Sequence, residues 1–274
     1  MGEIVAALAT THAPQLLIRP KETEDPHEVA RTHAAMRALG ERLDASGAET
    51  LVIIGLDHLE NYLDHVVAPF IVFTGESVEG EFGPYRHRYA VDTALAERVL
   101  HGALERRVDL AYSQRTVLDH SFLIPLHFIH PARRLPLVPV IVNAYVAPQP
   151  APRRCYQFGQ ALGEILRASG RRVAVLASGG MSHYPGTPRY PKPDFDFDRS
   201  LLRDLERGNG RRLVEMTAAA LDEVGNIELR TWLVAMGVVG MERPATVVTY
   251  EPCWHHGHGV LYWDMAPARE AARA

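Results

Sequence analysis

Lysine is nearly missing from this chain. Lys21 and Lys192 are the only two, and arginine carries the rest of the side-chain positive charge. The 29 Lys and Arg residues stand against 33 Asp and Glu, a formal net charge of -4. That balance leaves no basic surplus for a generic nucleic-acid binder, so no nucleic-acid partner is expected. Cysteine is equally scarce. Cys155 and Cys253 cannot build a disulfide framework, and no CxxC pair occurs, so a reduced intracellular setting is expected. No apolar run approaches the roughly 18 residues of a membrane span. The opening segment lacks a basic n-region and carries Glu3 and His12. A cytoplasmic protein with no signal peptide and no membrane partner is therefore expected. Neither GxGxxG after a strand nor GxxxxGK[ST] is present, which leaves dinucleotide and P-loop readings unsupported.

What is there is ordinary in bulk and unusual in one residue type. The 274 residues are ample for a deep core. Hydrophobic residues make up 47% and charged residues 23%, which excludes global disorder. Histidine occurs 14 times and not as a tag.

Short apolar runs predict buried strands at Ile4 to Ala9, Leu51 to Leu56, Leu137 to Val142 and Val173 to Ala177. Weaker strand patterns lie at Phe70 to Phe73, Ala245 to Tyr250 and Gly259 to Trp263. Asp25 and Pro26 predict a helix start, and that helix runs to about Leu43. Further helices are predicted from near Asp92, from Arg153 to Ala168, from Phe197 to Arg207, from Arg212 to Leu221, and from Asn226 to near Gly237. The proline-rich stretches 147–152 and 185–193 read as loops. This alternation predicts an α/β fold with a central mixed sheet flanked by helices. No composition break divides it, so one catalytic domain over 1–274 is expected.

Three histidines close three of the strand patterns. IVAALATTH ends at His12, LVIIGLDH at His58 and VAVLASGGMSH at His183. Ligands of open α/β sheets bind beyond the carboxyl ends of the strands. If these strands are parallel neighbours, the three imidazoles converge on one crevice. Neutral imidazole is the commonest transition-metal ligand, and two histidines with one carboxylate on one face form the non-haem Fe(II) arrangement. Two acids are open for the third position. Asp57 adjoins His58, and a turn residue is its bland alternative. Glu228 sits in GNIELRTWLVAMG, where a helix-start acid is the bland alternative. His120, in VLDHSFLIPLHFI beside Asp119, reads either as a proton shuttle or as a satisfied core histidine. His127 is assigned to packing. His256 and His258 in WHHGH could pair on a metal, but a solvated turn is the preferred reading.

Taken in order, TTHAP, the strand-end DH followed by APF, DHSFLIPL, LPLVPVIVN, SGGMSH and IELRTW span nearly the whole chain. With these motifs the sequence resembles the class III extradiol ring-cleavage dioxygenases, the superfamily of the protocatechuate 4,5-dioxygenase catalytic subunit, and most of all its single-chain members. The resemblance implies iron ligation by His12, His58 and Glu228, in preference to Asp57. It implies acid–base roles for His183 and His120. After that second histidine the family pattern has glycine, and this chain has Ser121. The implied cofactor is Fe(II) rather than Mn(II). The implied reaction opens a catechol-type ring beside its diol and incorporates both atoms of O2. Relatives that act on 2-aminophenols with the same ligand set, and a zinc hydrolase on those ligands, are the alternatives. A relative serving only as an interaction protein is disfavoured by the complete residue set. A small aromatic diol and O2 are the implied partners, with a homo-oligomer expected and a small accessory subunit in some relatives. Arg86, His87, Arg88, Arg189 and Lys192 suggest a carboxylate on the ring substituent. Phe122, Tyr184 and Trp254 are apolar candidates for the pocket wall.

Overall fold

A computed structural model describes residues 2–23, 25–62 and 66–265. The ends of the expected 1–274 domain, Met1 and 266–274, lie outside the described residues. The elements in chain order begin with β1 (Glu3–Thr10), α1 (Gln15–Ile18), α2 (Pro26–Ala45), β2 (Thr50–Gly55) and β3 (Phe70–Phe73). Next come β4 (Ser77–Phe82), β5 (Tyr85–Ala90), α3 (Thr93–Glu105), β6 (Ala111–Ser113), β7 (Val117–Leu118) and α4 (His120–Ile129). After them stand β8 (Leu137–Val142), α5 (Pro152–Arg167), β9 (Arg172–Ser178), α6 (Phe195–Glu206), α7 (Arg211–Val214) and α8 (Ala218–Glu223). A 3-10 turn (Ile227–Leu229) leads into α9 (Arg230–Val239), and the hairpin β10 (Ala245–Cys253) and β11 (His256–Trp263) closes the series.

Eight strands form one mixed sheet in the order β10-β11-β1-β9-β2-β8-β3-β6. Its centre is parallel: β1 pairs with β9, β9 with β2, and β2 with β8. The central strands are apolar on both faces because helices cover both, as buried parallel strands require. Alternate residues divide between the layers. Ala6, Leu8, Leu51, Ile53 and Leu176 pack toward α2 and α4. Ala7, Ala9, Val52, Ile54 and Val175 pack toward α3, α5 and α9. α5 and α9 touch backbone to backbone, since a Cβ on Gly159 would stand 2.0 Å from the Val234 carbonyl oxygen and 2.8 Å from Gly237 Cα. A second sheet, β5-β4-β7, packs against α4 through Val78, Tyr89 and Leu118.

All seven predicted strands are present, and the mixed sheet between helices is as expected. Three features differ. The helix expected over Arg212 to Leu221 is two short ones, because Thr217 ends the run by accepting the Ala220 amide and capping α8. Asp25 holds the N-cap position of α2 but makes no side-chain cap bond there. α4, buried except at the half-buried His127, is a helix that no amphipathic pattern announced; Asp119 caps it by accepting the Ser121 amide. Among the described residues no helix is long and apolar enough to cross a membrane, and both cysteines are free and buried.

Candidate functional site

Residues Thr10 of β1 and Ser178 of β9 pair in register, and Ile54 of β2 pairs with Ala177. Three parallel strands therefore end at one level, and the chain continues from them to His12, His183 and His58. The structure brings all five sequence-selected groups, His12, His58, His120, His183 and Glu228, to the wall of one cavity of about 250 Å3. Asp57 is not among them. It accepts from the Asn61 side chain and from the Asn61 and Tyr62 amides, and so serves as the turn residue after β2.

Hydrogen bonding sets the tautomer of each strand-end histidine. Ser178 Oγ donates its one proton to the Ser121 carbonyl at 2.5 Å, so toward His12 it acts as acceptor, and His12 Nδ1 carries the hydrogen at 3.0 Å. His58 Nδ1 donates to the Asp119 carboxylate at 2.7 Å, while the other oxygen of that carboxylate is held by the Ser121 amide and hydroxyl. His183 Nδ1 donates to the Met181 carbonyl at 2.8 Å. Each ring then turns an Nε2 lone pair toward Glu228: His12 at 3.1 Å, His183 at 3.3 Å and His58 at 3.6 Å. Glu228 is 1% exposed and is held from behind by the Gly180 amide at 2.6 Å and the Tyr145 hydroxyl.

Lone pairs facing a buried carboxylate call for a positive charge between them. A proton or a metal ion can supply it. Burial pulls His58 down, yet Asp119 and Glu228 outweigh this and lift its pKa to about 10. Burial opposes the charge on Glu228, but His12 and His183 hold its pKa well below the usual carboxylate range. Among the described residues, the buried His12 Nε2 has no hydrogen-bond partner. Ligand-capable atoms of His12, His58 and His120 lie within 4.8 Å of one another, as do those of His183, Glu228 and His256. Glu228 joins the two groups, so the residues fit a metal ion.

His120 stands beside the cluster. Its ring centroid is 3.9 Å from that of His58 and 5.2 Å from that of Phe82. Burial and the neighbouring His58 charge push its pKa down to about 3, which keeps it neutral. Ser121 does not line the cavity. It is fully buried, and its hydroxyl also accepts the Leu56 amide at 3.0 Å, tying the end of β2 to the start of α4. His127 packs against Tyr85 and Phe128, as assigned.

The WHHGH segment corrects its expectation. Trp254 and His255 make the turn, but His256 and His258 are buried strand residues. His256 stacks on His183 with centroids 4.0 Å apart and lines the cavity. The HGH alternation, which points both histidines to one side of a strand, was the available signal. Tyr145 was also missed. It follows β8, and the strand-end rule that selected the histidines reaches it too. Trp254 lines the cavity, whereas Phe122 is packed under Gly55 and Tyr184 donates to the Glu223 carbonyl. The cations expected to hold a substrate carboxylate do not line the cavity either. Arg86 pairs with Glu81 at 2.6 Å, Arg88 bonds Ser77, and Arg189 pairs with Glu223 at 3.0 Å.

The tautomer argument makes one prediction. Ser178→Ala leaves His12 Nδ1 without its acceptor, and metal affinity should fall by roughly 10–100-fold, the usual cost of losing an outer partner. Titration of the apo chain with Co(II) checks it, and unchanged affinity would remove Ser178 from this role.

The chain is 34% identical over 173 residues to the 2,3-dihydroxyphenylpropionate/2,3-dihydroxicinnamic acid 1,2-dioxygenase of Klebsiella pneumoniae strain 342, covering 63% of this chain and 54% of that one. It is 32% identical over 204 residues to the enzyme of the same name from Klebsiella pneumoniae subsp. pneumoniae, covering 74% and 62%. The chain thus spans between half and two thirds of the length of these relatives. Its fold is shared with an uncharacterized protein of Escherichia coli K12, at a TM-score of 0.65, 16% identity, and coverage of 94% of this chain and 99% of that one. Residues 6–260 match the family described as the catalytic LigB subunit of aromatic ring-opening dioxygenase, and the chain belongs to that family.

Proposed function

We propose that the chain is a non-haem Fe(II)-dependent extradiol dioxygenase, with His12, His58 and Glu228 as ligands and a catechol-type diol as substrate. The observation that carries this reading is the set of Nε2 lone pairs aimed at the buried Glu228 carboxylate. Family membership supports it. A bound Fe(II) would supply a Lewis-acidic, redox-active meeting point for the diol and dioxygen.

The chain's own groups do the rest. Asp119 and Ser178 hold His58 and His12 in the ligating tautomer. Pro14, Pro185, Tyr190 and Trp254 give the cavity flat, apolar walls suited to an aromatic ring. His183 and His120, both on the cavity wall, take the acid–base work. Burial lowers the affinity of His183 for a proton, but Glu228 and the Met181 carbonyl raise it further, so its pKa lies above the ordinary value. With its Nδ1 hydrogen held by the Met181 carbonyl, His183 presents Nε2 as the base that accepts a diol proton. His120 stays neutral and acts through its ring N–H or lone pair. Groups whose surroundings push their pKa values apart divide acid and base roles in this way.

The test is metal analysis joined to an oxygen electrode. The iron-loaded chain should consume O2 in step with the yellow product of catechol ring opening. Zinc retention with ester hydrolysis and no O2 uptake would replace the reading with a hydrolase. Uptake on 2-aminophenol but not on catechol would move the substrate class and keep the ligand set.

A further inference from the structure

Asp198, on α6, takes no part in the cavity wall, yet it is the only described carboxylate other than Glu228 that is 0–1% exposed apart from Asp119. Its partners are three neutral donors. Ser182 N reaches both carboxylate oxygens at 3.1 and 3.2 Å, Asn226 Nδ2 donates at 2.9 Å, and the Tyr250 hydroxyl donates at 2.7 Å. Gly257 lies against the same group, since a Cβ there would come within 2.2 Å of Asp198 Oδ2.

Three of these neighbours lie within two residues of a residue of the site. Ser182 precedes His183, Asn226 stands two residues before Glu228, and Gly257 follows His256. Backbone bonds stitch the same segments together: Met181 N to the Gly257 carbonyl, Gly257 N to the Ser182 carbonyl, and His183 N to the Gly225 carbonyl. Holding a carboxylate there has a cost, for burial pushes it up to about 6. An asparagine would be cheaper to bury but could not accept from every donor, because half of its side-chain polar group donates. The arrangement needs an acceptor on both oxygens.

We propose that Asp198 is a positioning residue that sets the His183 loop and the Glu228 turn at their working separation. The catalytic consequence rests on the proposed ring-opening reading; the geometric one does not. Asp198→Asn and Asp198→Ala are compared with the wild type as full chains, at a temperature where circular dichroism shows all three folded. Co(II) titration of each apo chain and steady-state kinetics of each iron-loaded chain on catechol are then measured. Outer partners of a metal site typically govern roughly 10–100-fold in affinity or activity. Asp198→Asn is expected to weaken Co(II) binding about tenfold and to lower kcat at least as much, with KM changed little, and Asp198→Ala to exceed it in both. Tyr250→Phe, which removes one donor and keeps the ring, should give a smaller loss in the same direction. A lowered thermal midpoint with wild-type Co(II) affinity and wild-type kcat would make Asp198 merely structural and overturn the proposal. Wild-type chain that binds Co(II) but opens no catechol would refute the ring-opening reading, while the Co(II) affinities would still decide the role of Asp198.

Discussion

Glu228→Ala is expected to strip the chain of metal and of turnover together. The carboxylate supplies the negative charge toward which all three Nε2 atoms turn. Without it the Gly180 amide and Tyr145 hydroxyl also lose their acceptor. The loss of affinity should therefore go well beyond the roughly 10–100-fold that follows removal of an outer partner. Asp57→Ala is the control. Among the described residues, Asp57 accepts from Asn61 and Tyr62 in the turn that follows β2, so that variant should keep metal and activity. Inductively coupled plasma analysis and oxygen uptake read both variants. Full iron and full activity in Glu228→Ala would return the ligand role to another acid.

The second large effect should separate binding from chemistry. His183→Phe and His120→Phe are expected to retain metal and to lose roughly 10^2- to 10^4-fold in kcat, the range that a positioned acid or base contributes. Phenylalanine keeps the ring stacks on His256 and His58, so packing is largely preserved and the loss reports the missing nitrogens. The division of roles would fail if His183→Phe lost its metal. His183 Nε2 lies as close to Glu228 as the proposed ligands do, which makes metal content the decisive measurement for that variant.

Much of this centre is legible in the chain read as text. Buried parallel strands are apolar throughout and break where they leave the sheet, so IVAALATTH, LVIIGLDH and VAVLASGGMSH each mark a carboxyl end with a histidine on it. The helix that starts near Asp92 and the one that follows Asn226 are local patterns of the same kind. α4 escaped because a helix buried on nearly every side has no amphipathic period, and the small sheet of β4, β5 and β7 escaped because its strands are short and partly polar.

The choice between Asp57 and Glu228 lay beyond residue patterns alone and rested on family resemblance, because both are acids at element ends. The tertiary structure separates them: one is turned into its own loop, the other lies under three imidazoles. The same holds for His256 and Tyr145, whose neighbours in space are far away in sequence. The arginines offered by the sequence as carboxylate anchors found partners elsewhere, since a guanidinium reaches whatever acid the fold brings near it. Strand identity and strand-end chemistry follow from local hydrophobic pattern, and so the sequence by itself determined the α/β class and the three strand-end histidines that line the cavity. Which oxygen faces which nitrogen, and with which tautomer, depends on contacts between segments up to 247 residues apart, such as Thr11 with His258; only the packed sheet, with β1, β9 and β2 side by side, decided that.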